Sequence, residues 1–275
     1  ELPPKALSTL SDALLKGIEK GLAAAELSYS ASKAYASPRR LALVITGLQT
    51  HQADRNVEKR GPAVTAGFDE DGNPTKALQG FARSCGVEVD ALETLETDKG
   101  AWLVYREKQS GQAATELLPE IVKQALAALP IPKRMRWGSL SEEFVRPVHW
   151  LILMLGDEII PANLLGVQSN QLSYGHRFHH PQAIRISSPQ TYAPQLLSEG
   201  HVMVDFKERR EAIRGQVSEL ATQLGGQAII DDELLDEVTG LVEWPVALSG
   251  EFDKRFLELP SQALISSMQG HQKYF

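Results

Sequence analysis

Five short stretches of the chain set arginine beside proline, glycine or an aromatic ring. They are Ser37-Pro38-Arg39-Arg40-Leu41-Ala42-Leu43, Glu58-Lys59-Arg60-Gly61-Pro62, Lys133-Arg134-Met135-Arg136-Trp137-Gly138, Phe144-Val145-Arg146-Pro147-Val148-His149-Trp150 and Gly175-His176-Arg177-Phe178. A guanidinium is flat and permanently charged, so it forks onto phosphate or carboxylate oxygens and stacks on a base or an aromatic ring. The chemistry these residue types suggest is contact with a polyanion. The candidates are Arg39, Arg40, Lys59, Arg60, Lys133, Arg134, Arg136, Arg146 and Arg177, with the Arg39-Arg40 pair foremost because it puts two charges directly ahead of an apolar strand. Each also has a plainer reading, as a surface cation or as the partner of a carboxylate inside the fold.

Three histidines, His176, His179 and His180, are the one place where a metal is worth weighing. On an extended strand His176 and His180 would share a face with Phe178, while Arg177 and His179 point the other way. The adjacent arginine opposes a divalent cation, so a surface or nucleic-acid-facing strand end is favoured, with ordinary core packing the alternative, and no metal is assigned. Trp150, in the apolar run Trp150 to Leu155, reads as core. Trp137 beside Arg136 is open to base stacking or packing, and Trp244-Pro245 reads as a helix end leading into a strand. Cys85 reads as a small packed hydrophobe. No Gly-rich phosphate loop, G-x-S-x-G, H-E-x-x-H or paired C-x-x-C occurs, and no catalytic residue is assigned.

The elements that would position these side chains alternate between helices and strands. Leu7, Leu10, Leu14, Ile18 and Leu22 fall three or four apart and predict a helix over 4–25. Strands are predicted over 29–35 and 41–48, then a turn-rich loop over 61–75, a helix over 75–84, a strand over 101–108 and a helix over 113–129. Strands follow over 148–155, 158–165, 173–178 and 184–186, then a helix of about ten residues after Ser188-Pro189. A strand over 202–206 feeds a charged helix over 207–224; a helix over 232–241, capped by Asp231 and Asp232, leads to an extended piece at 245–248. The fold class is therefore α+β, with mixed or antiparallel sheets flanked by helices. The expected divisions are 1–60 (N-terminal helix and strands), 61–186 (central mixed α+β domain) and 187–275 (C-terminal α+β segment).

Composition fits a globular piece: 43% of the 275 residues are hydrophobic and 23% charged. A single cysteine rules out an intrachain disulfide framework and fits a reducing, cytoplasmic setting. No stretch approaches eighteen uninterrupted apolar residues, so no membrane partner is expected. The net charge is 28 − 35 = −7, and residues 226–260, with nine acids and two bases, account for all of it. The remainder is balanced, and residues 39–60 carry five bases against two acids, so a basic patch coexists with an acidic pI. The acidity of 226–260 is attributed to helix capping ahead of a docking face.

The motifs ELPPKAL, SPRRLAL, EKRGPA, TDKGAWL, LPIPKRMRWG, FVRPVHW, GHRFHHP, EVTGLVEWPVAL and LPSQALISSMQGHQKYF, in this order from residue 1 to residue 275, resemble the N-terminal part of the β subunit of bacterial heterotetrameric (α2β2) glycyl-tRNA synthetase. Members of that family are longer and usually carry an apolar strand before ELPP, so the resemblance implies a fragment. It also implies a part in ATP-dependent attachment of glycine to its tRNA, through tRNA recognition and scaffolding. On this resemblance ATP and Mg belong to the partner α subunit and no cofactor to this fragment, which agrees with the absence of class I and class II synthetase signatures. Implied partners are the α subunit, a second β subunit and glycine tRNA, but not DNA. A fold similar to the B3/B4-type module of the phenylalanyl-tRNA synthetase β subunit is implied too, and with it two other readings: an editing-type hydrolytic domain acting on mischarged tRNA, or a purely structural interface module. Glycine is the smallest amino acid, so a pocket of its size rejects larger side chains by volume, which weakens the need for editing.

Overall fold

The computed structural model describes residues 1–98 and 100–275; Lys99, within TDKGAWL, lies outside the described residues. The chain forms two compact units, one of residues 1–49 with 115–275 and one of residues 50–114.

The larger unit starts on helix α1 (Leu7–Ala24), preceded by a single 3-10 turn over Pro4–Ala6 whose prolines suit a helix start. Its predicted stripe Leu7, Leu10, Leu14, Ile18 and Leu22 is buried throughout. Strands β1 (Ala31–Ser37) and β2 (Arg40–Thr46) form an antiparallel hairpin against α1, in register from Ala31 with Thr46 to Ser37 with Arg40. The turn Pro38-Arg39 is tied down from outside, because Leu2 donates its backbone N–H to Pro38 at 2.6 Å.

The smaller unit is a three-stranded antiparallel sheet in the order β3 (Arg55–Ala63), β5 (Gly100–Gln109), β4 (Glu93–Thr97). The short helix α2 (Val64–Gly67) and the longer α3 (Lys76–Cys85) connect β3 to β4, and α3 is capped by Thr75. Pairing of Gln52 with Gln112 and of Thr50 with Ala114 closes the neck of this unit. Of the turn-rich loop expected over 61–75, residues 61–67 are instead the end of β3 followed by α2, and the turn itself occupies 68–75. A register shift between Arg60 and Ala63 carries the strand past Gly61-Pro62, where proline has no N–H for the ladder. Of the sequence divisions, 60/61 falls inside β3 and 186/187 just after the last strand.

Back in the larger unit, α4 (Ala114–Ala127) approaches α1 closely. A β-carbon on Gly21 would come within 2.5 Å of the Ile121 side chain, which would have to shift, and one on Gly17 within 3.0 Å of Ala125, so small residues permit the close approach. The strands expected over 148–178 shorten to small ladders. Ahead of them β6 (Met135–Arg136) pairs with β7 (Glu143–Phe144); within the range, β9 (Met154–Leu155) pairs with β10 (Glu158–Ile159), and β12 (Val167–Asn170) lies between β8 (Leu151–Ile152) and β11 (Asn163–Leu164). A final hairpin pairs β13 (Leu172–Tyr174) with β14 (Ala183–Arg185).

Helices α5 (Tyr192–Ser198), α6 (Phe206–Gln223), α7 (Asp232–Thr239) and α8 (Ser261–Ser267) complete the unit. Ile184, Ile186, Tyr192, Leu196, Val202 and Val204 form one core cluster, with Tyr35, Ala42 and Ile152 packed on it. Residues 202–206 do not form the expected strand. Met203 donates to Glu243 at 2.9 Å while Val204 accepts from Ala36 at 3.0 Å, so this backbone serves two neighbours and no ladder. Asp231 caps α7 through Leu234 N–H at 2.8 Å, and Asp232 binds Arg210 and Arg214, each at 2.7 Å.

Candidate nucleic-acid interface

Arg39 and Arg40 do not project to solvent; both turn onto one carboxylate. Glu243, between α7 and Pro245, takes Arg39 Nη2 at 2.8 Å and Nε at 3.1 Å, Ser37 Oγ at 3.1 Å, and Arg40 Nη1. Arg40 also reaches Ser37 Oγ at 3.2 Å and the Tyr174 carbonyl, and lies 5.5 Å over the Trp150 ring. Side-chain exposure is 16% for Arg39, 2% for Arg40 and 7% for Glu243. The expectation that this pair is held out for phosphate therefore gives way to its plainer alternative, an internal ion pair. A buried carboxylate and buried guanidinia tolerate the loss of water by neutralising one another and by hydrogen bonding; here Nη1 and Nη2 of Arg40 are both bonded, while its Nε is buried without a hydrogen-bond partner among the described residues.

The electrostatics of Glu243 follow from that arrangement. Burial alone would raise its carboxyl, but the charge of Arg40 and the hydrogen bond of Arg39 outweigh burial and hold it below the ordinary value of 4.5. Arg209, fully buried on α6, adds a third cation nearby; desolvation pushes it down to about 10, so it stays charged at neutral pH. It donates to Thr239 O at 3.1 Å, Met203 O at 2.5 Å and Ala36 O at 2.9 Å. Three arginines thus staple the β1–β2 turn to the segments 203–205 and 239–243.

Arg39 has one further bond, from Nη2 to the Gly175 carbonyl at 2.6 Å. With Arg40 on the Tyr174 carbonyl, the buried pair grips the backbone where β13 ends and the loop Gly175–His180 begins. This loop is a tight turn and not the extended strand expected to run to Phe178. His180 N–H donates to His176 O at 2.9 Å, and His176 Nδ1 accepts from the amides of Phe178 and His179, both at 3.3 Å. A β-carbon on Gly175 would collide with His180, so only glycine fits. Burial, and then the neighbouring His179, lower the His176 pKa, which suits a neutral ring accepting two amides.

The turn also changes which rings meet. His176 stacks near His179 at 4.6 Å, His179 lies 5.7 Å from His201, and His201 meets Trp244 edge-on at 5.2 Å. Among the described residues no group of three or more His, Cys, Asp or Glu side chains converges as metal ligands would.

The other sequence candidates occupy varied surroundings. Arg177 is 60% exposed, with Glu1 at 3.6 Å, and Arg136 is 70% exposed, 3.8 Å from Glu143. Lys133 and Arg146 are exposed, the latter donating to its neighbouring Val145 carbonyl at 2.8 Å. Arg134 folds back on the end of α4, donating to Ala127 O at 2.9 Å and Leu129 O at 3.4 Å, which satisfies carbonyls the helix leaves open. Lys59 and Arg60 belong to the smaller unit, both exposed on β3, with the Arg60 guanidinium 4.0 Å over Trp102. Sequence reasoning missed Glu243, Ser37, Arg209 and His201. The signal for Glu243 was an acid alone between Val242 and Trp244 in an apolar run, a placement that asks for a buried cation.

The motifs that build this network, from SPRR through GHRFHH to GLVEWP, run from residue 37 to residue 245, and the match to known proteins covers the whole chain. A family model described as glycyl-tRNA synthetase beta subunit covers residues 1–275. This chain belongs to that family. The glycine–tRNA ligase beta subunit of Hahella chejuensis is 56% identical over 275 residues, all of this chain and 40% of that protein. The beta subunits of Marinobacter nauticus, 56% identical, and Pseudomonas syringae pv. syringae, 53% identical, match with the same coverage. The chain thus spans about two fifths of the length of these glycyl-tRNA synthetase relatives. Among the described residues no helix is long and apolar enough to cross a membrane.

Proposed function

We propose that this chain is the noncatalytic N-terminal part of a glycyl-tRNA synthetase β subunit, acting in an α2β2 enzyme of the cytoplasm by contacting glycine tRNA and by scaffolding. The observation that carries the reading is the family match over every residue of the chain. In this reading ATP, Mg and the adenylation step belong to the α subunit, and the β subunit supplies surface for the tRNA. The exposed cations Lys133, Arg136, Arg146 and Arg177 of the larger unit, and Lys59 and Arg60 of the smaller, are suited to phosphates. Arg39 and Arg40 act behind that surface by fixing the turn and the loop it holds.

The test uses the α2β2 enzyme. Replacing Lys133, Arg136 and Arg146 together by Gln is expected to weaken tRNA binding and to lower the slope of log affinity against log salt by about 0.7–0.9 for each phosphate no longer neutralised. Affinity and slope equal to wild type would overturn the phosphate role. Glycine-dependent pyrophosphate exchange is expected from α with β and not from this chain alone; robust exchange by the chain alone would overturn the assignment of chemistry to α.

A further inference from the structure

Phe178 stands out among the aromatic side chains because it is 82% exposed at the tip of a loop that the fold goes to some length to fix. Its neighbours in sequence are the exposed Arg177 and the exposed His179. The loop beneath is pre-organised: His176 Nδ1 binds two of its amides, Gly175 has no room for a side chain, and the buried arginines hold the carbonyls of Tyr174 and Gly175. His179 continues inward as a row of rings through His201 to Trp244.

An exposed phenylalanine could equally face an apolar protein surface, but the side chains flanking it are polar: the guanidinium of Arg177, with Glu1 at 3.6 Å, and the imidazoles of His176 and His179. A ring presented on a pre-organised tip beside a guanidinium is what an unpaired, splayed nucleotide requires: a face to stack on and a positive group for the adjoining phosphate. Rigidity matters because a loop that is already ordered has little freedom left to lose on binding.

We propose that the loop His176–His180 is a stacking platform for an unpaired nucleotide of tRNA, with Phe178 against the base and Arg177 at a flanking phosphate. This rests on the tRNA-binding reading above and adds to it a site and a mode of recognition. Stacking is tolerant of base identity, so the platform positions the RNA and does not read its sequence.

The test compares Phe178→Ala, Phe178→Tyr and Arg177→Gln in the α2β2 enzyme, measuring tRNA affinity across salt, melting temperature and subunit assembly. Phe178→Ala is expected to weaken tRNA binding roughly 5- to 150-fold with the salt slope and melting temperature unchanged, since the ring is exposed and uncharged. Phe178→Tyr should retain affinity, and Arg177→Gln should lower the slope by about 0.7–0.9. Wild-type affinity in Phe178→Ala overturns the platform. So does a loss of affinity that tracks dissociation of α from β, which would make Phe178 a subunit contact. If the Lys133/Arg136/Arg146 variant loses tRNA while Phe178→Ala does not, the platform alone fails; if that triple variant binds like wild type while Phe178→Ala and Arg177→Gln behave as expected, the wider cation surface fails and the platform stands.

Discussion

Arg40 and Arg60 occupy comparable places, each second in a basic pair, each on a strand and each two residues from a proline. Arg40 is 2% exposed, bound to Glu243 and backed by Trp150, whereas Arg60 lies on an exposed strand with its guanidinium 4.0 Å over Trp102. Both use an aromatic face, but only Arg40 gives up its water, and so only Arg40 depends on a carboxylate for its place in the fold. A cation's neighbours in sequence therefore say what it can bind, while its burial decides what it must bind. An interior charge is bound by necessity; a surface charge remains available to a partner.

The largest way to break the comparison is at Glu243. Glu243→Ala leaves two guanidinia without their carboxylate and is expected to cost about 3–5 kcal/mol in urea unfolding of the larger unit; a loss below about 1 kcal/mol would show that the network does not hold the turn. The acid limb of wild type reports on the same carboxylate. A carboxyl held low in the folded state stabilises it above the unfolded value, near 4.5, and that contribution is lost as pH falls through the folded value. Stability of wild type should therefore fall more steeply below about pH 4.5 than that of Glu243→Gln, in which the group no longer titrates.

A smaller loss is expected from Arg39→Gln with Arg40→Gln, because glutamine keeps a donor toward Glu243. On the scale of about 1.5–3 kcal/mol for a hydrogen bond to a charged group, the melting temperature should fall clearly. The slope of tRNA affinity against salt should stay as in wild type, in contrast to Arg177→Gln. A reduced slope with unchanged melting temperature would restore Arg39 and Arg40 as phosphate ligands. The smallest effect belongs to Arg60→Ala, about 0.5–1 kcal/mol for an exposed cation–π pair, followed by Trp102 emission on unfolding of the smaller unit. A loss as large as that at Glu243 would erase the distinction between the two arginines.

What was legible in the sequence is local. The stripe of α1 follows from spacings of three and four; α3 and α4, and the caps of α7, follow from Thr75, Asp231 and the flanking prolines. β3 was hidden because Gly61-Pro62 normally breaks a strand and here sits at a register shift. β4, with Glu93, Thr94, Glu96 and Thr97 exposed, lacks an apolar signature and exists through pairing with β5. The expected strand to Phe178 ended at Tyr174 because His176 gathers two amides into a turn, something no alternation pattern encodes.

The sequence by itself determined the family, the main helices, the α+β class, and the stock of cations and rings from which any RNA contact must be built. Only the tertiary structure decided which cations those are. Ser37, Arg39 and Arg40 meet Glu243 across more than two hundred residues of chain. The reason is physical: helix and strand formation is governed by neighbours within a few positions, whereas a buried charge is governed by whichever opposite charge the fold brings to it, and that partner can lie anywhere in the chain.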